Sequence, residues 1–286
     1  MDIHSEEELF RIIRSAYLDN KKIQVLGYGR HGRISKVDEY VYTKNMNWYE
    51  IKDGKVQALA GADVTKIRKE ASENGLLLPT LYDGTIGGLL AINPISPLTT
   101  SYGRPSDFTL WTRFLTPYGG MKWKVFVGSM GLLGAISRAE LKLFEKPRRI
   151  LTYDKNDATE EEIMKVSSFR PLVLLVEYDG RFNVHASFSE EVLLQGFSVD
   201  EGVPMVEVDR ERDEIIVEGD DTFESFKKII ELSNPSYAYW IYNSKVFVIF
   251  DADVEKLSQF KYYSRDRPKE IYLKLKKLLD VKNIFN

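Results

Sequence analysis

Three glycine clusters are the stretches of this chain whose residue types and spacing could do chemistry. They are Gly27-Tyr28-Gly29-Arg30-His31-Gly32, Asp83-Gly84-Thr85-Ile86-Gly87-Gly88 and Gly128-Ser129-Met130-Gly131-Leu132-Leu133-Gly134. Glycine tolerates positive φ and lets another group approach the backbone closely. Successive N–H groups in such turns form a concavity that holds an anion. The chemistry implied is the cradling of a phosphate, not the breaking of a bond. Taken singly, each cluster also reads as a plain tight turn.

The first cluster is a literal G-x-G-x-x-G behind the apolar stretch Ile23–Leu26. A Rossmann dinucleotide site needs a helix directly after the third glycine, with its N-terminus facing the pyrophosphate. Residues 33–43 show no apolar face at helical spacing and drift into β-branched and aromatic residues. Glu50 lies near the distance of a ribose-binding acid but stands before a hairpin. The Rossmann reading is therefore set aside in favour of an anion-binding turn that needs no helix.

Other reactive side chains are sparse. The chain has no cysteine, which excludes disulfides, a thiolate nucleophile, iron–sulfur clusters held by this chain and Cys-ligated zinc. His4, His31 and His185 lie far apart, and none sits in an H-E-x-x-H or H-x-H pattern, so no metal site is expected. Glu6–Glu8 and Glu160–Glu162 read as helix N-termini favoured by the dipole, not as acid/base pairs. With 40 Lys+Arg against 43 Asp+Glu, the net charge of -3 and the lack of a long run of one sign argue against nucleic acid. The acidic N-terminus carries no secretory pattern and no 18-residue apolar run occurs, so a cytoplasmic protein with no membrane-spanning segment is expected.

The elements that must position the clusters follow from periodicity and punctuation. Ser5 and Glu8 frame a helix to about Leu18, Ile23–Leu26 is a strand, and Asp53-Gly54 turns a hairpin between residues 48–51 and 55–60. Asp63 caps a helix that ends at Asn74-Gly75. Strands are expected at 108–115, 122–127 and 134–144. Beyond Pro147-Arg148-Arg149 the texture becomes mixed: a helix capped by Thr159-Glu-Glu-Glu162, helices at 222–232 and 268–279, strands at 172–178 and 182–188, and a hairpin of 237–242 with 246–250. Trp48, Trp111 and Trp123 are expected in core or interface packing. At 286 residues, two domains are expected, 1–147 and 148–286.

In this order and spacing, the clusters resemble the FAD-binding domain of the p-cresol methylhydroxylase/vanillyl-alcohol oxidase superfamily, closest to the FAD-binding subunit of glycolate oxidase. Leu26 to His31 stands where that family has R-G-G-G-S-K, and Asp83 to Gly88 is similar to its P-x-x-x-T-I-G-G. Tyr102-Gly-Arg-Pro-Ser-Asp107-Phe108 matches Y-G-x-x-x-D-F, and Gly128 to Ile136 matches G-S-x-G-x-L-G-V-I. The tail Lys274 to Asn286 resembles L-K-x-x-F-D-P-x-G-I-F-N-P-G. The resemblance covers residues 5 to 147 and the last twenty or so, and hardly touches the middle of the second domain.

The resemblance implies an α+β chain: a two-part FAD-binding domain followed by a smaller ferredoxin-like α+β domain. It implies FAD as cofactor, held by Gly27, Tyr28, Gly29, Arg30, His31, Gly84, Thr85, Ile86, Gly87, Gly88, Tyr102, Asp107, Gly128, Ser129, Gly134 and Ile136. Tyr28 and Arg30 replace small residues, although Arg30 can offer a charge-assisted bond to a phosphate. Residues 116–127 are shorter than in close relatives, and Asn93-Pro94-Ile95-Ser96-Pro97 replaces a glycine-bearing turn. His31 reads as a cofactor contact or a solvated loop residue, and His185 as a flavin-facing residue or a satisfied strand histidine. No catalytic residue is identified. The implied role is the FAD-binding subunit of a glycolate/D-lactate dehydrogenase complex, beside a larger catalytic FAD subunit and an iron–sulfur subunit. A non-catalytic assembly subunit without FAD and a self-sufficient small FAD enzyme are the alternatives.

Overall fold

A computed structural model describes residues 1–31, 34–206, 212–264 and 268–285. Contacts along the chain divide it into two units, Met1–Pro94 with Pro105–Lys146 and Pro268–Asn286, and Ile95–Arg104 with Pro147–Arg267.

In the first unit, helix Glu6–Asp19 starts where Ser5 Oγ accepts from Glu8 N–H at 3.1 Å and buries Leu9, Ile13 and Ala16. The Glu8 carboxylate accepts from His4 N–H at 2.9 Å, one residue upstream of the usual capping-box partner. Strand Ile23–Leu26 pairs in parallel with Glu39–Tyr42 and delivers the chain into the first glycine cluster. The hairpin of Tyr49–Lys52 and Lys55–Leu59 forms one side of a five-stranded antiparallel sheet, continued by Ala135–Lys142, Thr109–Thr116 and Gly119–Lys122. Helix Val64–Glu73, capped by Asp63, packs Val64, Ile67 and Ala71 into the same core as Val56, Leu89, Phe114 and Leu141.

Two expectations need correction. The strand expected over 122–127 is Gly119–Lys122, because the chain turns back at Pro117-Tyr118 and lays its two glycines along Leu115 and Thr116. Residues 124–127 form a turn instead, with Val127 N–H on the Lys124 carbonyl at 3.2 Å and Phe126 buried against Phe114. Of the core or interface packing expected for the tryptophans, the core alternative fails at Trp48 and Trp123, which are 42% and 56% exposed. The Arg138 guanidinium lies 5.0 Å from the Trp48 ring, and the Lys122 ammonium 4.0 Å from that of Trp111, so two of the rings serve as platforms for cations.

The tail is built into this unit by one buried carboxylate. Asp280 accepts from Ile284 N–H at 2.8 Å and Phe285 N–H at 3.0 Å, and pairs with Lys276 Nζ at 2.6 Å. Ile284 and Phe285 are thereby held in the core beside Ile23, whose N–H bonds to the Ile284 carbonyl at 2.7 Å. Ahead of them, helix Glu270–Leu279 sends the Tyr272 hydroxyl to the Val127 carbonyl at 2.9 Å, at the entrance of the third glycine cluster.

The second unit carries an eight-stranded antiparallel sheet in the order 198–201, 151–155, 182–188, 173–178, 237–241, 246–250, 214–218 and 261–264. Helix Glu160–Ser168 has a full capping box between Thr159 and Glu162, and Thr222 caps helix Phe223–Ser233. Ile163, Val166, Phe226 and Ile229 from these helices share a core with Val176, Val184, Ala186, Trp240 and Phe247. Because strand side chains alternate, those residues define one face, and Thr152, Asp154, Glu177, His185 and Tyr237 fall on the other. The chain is thus α+β, with a second antiparallel-sheet unit.

Candidate functional site

The helix Ile86–Ile92 organises the first unit's site. Thr85 caps it, with its buried Oγ1 accepting from Gly88 N–H at 3.3 Å, while Ile86 packs into the core. The cap is fixed on two sides: Ile86 N–H bonds to the Ala62 carbonyl at 2.9 Å and Gly87 N–H to that of Ala60 at 2.8 Å. The first glycine cluster lies directly on this cap. A Cβ built on Gly27 would overlap Thr85 Oγ1, so only glycine lets the backbone of the turn lie this close to the capping side chain. Gly29 has φ +69°, and a Cβ there would meet nothing within 4 Å, which leaves the crest of the turn open to a ligand.

Side chains fasten the two clusters together. The Tyr28 hydroxyl donates to Asp63 Oδ2 at 2.8 Å, while Asp63 Oδ1 caps the neighbouring helix at Lys66 N–H. Burial and this hydrogen bond push the Tyr28 phenol up to about 12. Arg30 lies over the Tyr28 ring with its guanidinium carbon 5.1 Å from the centroid. His31 Nε2 is 2.5 Å from Asp83 Oδ1, and its ring lies 4.6 Å from that of Tyr82. Tyr82 in turn covers Gly84 and Gly88, where Cβ atoms would come within 2.5 Å of its ring or hydroxyl. Gly32 lies outside the described residues.

The third cluster joins at the other end of the same helix. Gly128 N–H bonds to the Leu90 carbonyl at 2.8 Å, and Met130 N–H to that of Ala91 at 2.9 Å. Next to Gly128, Ser129 is fully buried, yet its hydroxyl oxygen has no hydrogen-bond partner. A buried polar atom without a partner is costly, and a ligand group is one way to satisfy it. The open crest at Gly29 and the partnerless Ser129 hydroxyl fit a phosphate-bearing cofactor.

Of the remaining residues singled out in the sequence, Gly134, Ile136 and Asp107 belong to the first unit and Tyr102 to the second. Gly134 and Ile136 sit where strand Ala135–Lys142 meets Leu115 and Phe114, and Asp107 lies in the short turn of helix Pro105–Phe108, its carbonyl 3.5 Å from Lys124 Nζ. Tyr102 ends the helix Thr99–Tyr102 of the second unit, and burial raises its phenol above the ordinary range. Sequence reasoning missed Tyr82 and the pairing of Asp83 with His31, and took Asp63 only as a cap. The visible signal was the placement of Tyr82 directly before the second cluster, which Asp83 opens.

A different arrangement occupies the second unit. His185 Nδ1 is 2.6 Å from Asp154 Oδ1 and its Nε2 is 2.8 Å from Glu177 Oε2. The Tyr237 hydroxyl donates to the other Glu177 oxygen, which completes a chain across four strands. Burial alone would depress the imidazole, but the hydrogen bonds to Asp154 and Glu177 overcome it and hold His185 at about 9. Burial opposes the charged form of Glu177 too, yet its bonds from His185 and Tyr237 keep the carboxyl below its usual range. Both ring nitrogens therefore carry protons at neutral pH. Asp154 and His185 line a cavity of about 290 Å³ with Thr152, Asp200, Gly202 and Met205. Of the two readings of His185, the satisfied strand histidine describes its hydrogen bonds.

Residues 2–123 match the model of a family described as an FAD binding domain. The match takes in the first two clusters and stops short of the third. Comparison with curated proteins gave no match. Among solved structures, alkyldihydroxyacetonephosphate synthase in a P212121 crystal is similar, with a TM-score of 0.70 at 15% identity over 99% of this chain and 74% of that chain. The same enzyme in a P1 crystal gives a TM-score of 0.67 at 15% identity, over 99% of this chain and 76% of that one. At this identity the likeness bears on the fold alone.

Proposed function

From the premise that residues 2–123 belong to the FAD-binding domain family of the p-cresol methylhydroxylase type, we propose that the chain is the FAD-binding component of an oxidoreductase acting on a 2-hydroxy acid such as glycolate or D-lactate. The observation that carries this reading is the seating of the Gly27 turn on the Thr85 cap, with the third cluster fastened to the far end of the same helix. When bound, FAD supplies a hydride acceptor. This chain's own part is to hold the pyrophosphate through backbone at 27–31, with Arg30 as a charged partner, and to offer the Ser129 hydroxyl; Ile86, Gly87 and Gly88, whose N–H groups are bonded within the chain, shape the seat on which that turn rests.

The lack of cysteine favours a complex, since one-electron transfer through an iron–sulfur cluster has to take place on another subunit. The partners proposed are a larger catalytic FAD subunit and an iron–sulfur subunit, in the cytoplasm; no helix among the described residues is long and apolar enough to cross a membrane. A second reading, a self-sufficient enzyme, is favoured by one observation. The Asp154–His185–Glu177–Tyr237 chain beside a cavity is equipped to hold a proton and to bind a polar ligand.

Anaerobic addition of glycolate or D-lactate to the flavin-loaded chain separates the readings. The subunit reading predicts no bleaching of the isolated chain and bleaching once the partner subunits are present. Bleaching of the isolated chain favours the self-sufficient enzyme, and a chain that never takes up FAD overturns both.

A further inference from the structure

The first unit has an exposed apolar patch that its site does not use. Leu18, Tyr118, Leu278 and Val281 are 65%, 62%, 73% and 67% exposed. They come from three separate parts of the chain, and direct contacts join those parts. The Tyr17 hydroxyl meets that of Tyr118 at 2.9 Å, with the two rings edge-on at 5.4 Å. Lys282 Nζ donates to the Tyr17 carbonyl at 2.8 Å and lies 4.5 Å from the Tyr17 ring centroid. Leu18 follows Tyr17 in the chain, Val281 precedes Lys282, and Leu278 lies in the last turn of helix Glu270–Leu279, so the segments that carry the four exposed apolar residues meet at this junction. Grouped apolar exposure of this kind marks an interaction surface, unlike single exposed leucines.

Charge selects the partner. The ionisable side chains of residues 17–22, 116–119 and 277–282, apart from the tyrosines, are Lys21, Lys22, Lys277 and Lys282 against Asp19 and Asp280. Asp280 is buried and paired with Lys276, so it does not offset the surface lysines. The patch is locally basic on a chain of net charge -3. A second copy docking through the same face would oppose lysines to lysines, as a two-fold contact requires. We propose that this face rests on an anionic lipid surface, with Leu278, Val281 and Leu18 dipping into the interface, Tyr118 at headgroup level and the lysines against phosphate. Apolar residues flanked by Lys, with Tyr at the boundary, are the chemistry of interfacial binding.

The test is co-sedimentation of the full chain with vesicles of phosphatidylcholine alone and of phosphatidylcholine with one quarter phosphatidylglycerol. The protein should pellet with the anionic vesicles at low salt, stay in solution with neutral ones, and be released by high salt. Replacing Leu278→Glu and Val281→Glu together should weaken pelleting by roughly tenfold or more. Leu193→Glu, at an 88% exposed residue of the second unit, should leave it unchanged. Both variants alter exposed side chains, and circular dichroism checks that they are folded. Failure of the wild-type chain to pellet with anionic vesicles overturns the proposal, as does equal pelleting of the Leu278/Val281 variant. Dimerisation through this face without vesicle binding would overturn it too, and would assign the patch to a second copy.

Discussion

The first unit's candidate site is shaped by glycine backbone lying close against its neighbours, and the second unit's polar chain is made of side chains. Around helix Ile86–Ile92, glycine backbone lies against the Thr85 hydroxyl, the Tyr82 ring and Ala60, and Thr85 and Ser129 are small buried polar groups. Across the second sheet, Asp154, His185, Glu177 and Tyr237 reach one another from four strands and depend on charge for their arrangement. The first site loses its shape when an atom is added. The second loses its balance when an atom is removed or a proton leaves.

The largest effect is expected in the second unit. His185→Ala leaves two largely buried carboxylates facing each other and should cost about 3 kcal/mol, as breaking a partnered buried charge does. Denaturant unfolding measures it, and a loss well under about 1 kcal/mol, the level of an ordinary surface pair, would show that the chain is not held by charge.

Raising the pH should remove much of the same stabilisation. His185 sits above its ordinary value of 6.5, at about 9 in the folded chain, so its contribution is fully present below pH 6.5 and is lost as the pH rises through about 9. The NMR titration of its ring should report that folded value. A midpoint near 6.5 would break the comparison between the two units.

Gly27→Ala tests the backbone site. The new methyl overlaps the Thr85 hydroxyl, so we expect a destabilisation of about 2 kcal/mol together with loss of bound flavin, read from melting temperature and visible absorbance. Normal flavin content in this variant would mean that the Gly27–Thr85 approach is not part of the cradle. The smallest effect on folding belongs to Ser129→Ala. Deleting a buried hydroxyl that has no partner should stabilise the flavin-free chain by about 1 kcal/mol, while FAD binds several-fold more weakly. Unchanged affinity would remove Ser129 from the site.

The same contrast explains what could be read from sequence. A site shaped by glycine backbone leaves its record in short local strings, so Gly27 to His31, Asp83 to Gly88 and Gly128 to Gly134 were visible as clusters. Their meeting on one helix was not, because Gly27 reaches Thr85 across more than fifty intervening residues. Asp63 shows the limit well: its capping of Lys66 is a local signal, whereas its bond to the Tyr28 hydroxyl depends on tertiary placement. The second unit's chain spreads from Asp154 to Tyr237, and no spacing rule joins residues that meet only through antiparallel register. Among the strands, 119–122 was missed because Gly119-Gly120 reads as a turn, while alternating stretches such as Ala135–Lys142 and capped helices such as Glu160–Ser168 were legible.

The central claim is that the three glycine clusters form one FAD cradle. It is tested most directly by the absorbance of the purified chain between about 350 and 500 nm, the region of flavin absorption, with mass analysis of whatever is released on denaturation. The account predicts a yellow protein that releases about one FAD per chain, as a single cradle requires. A colourless protein that also fails to take up added FAD would contradict it.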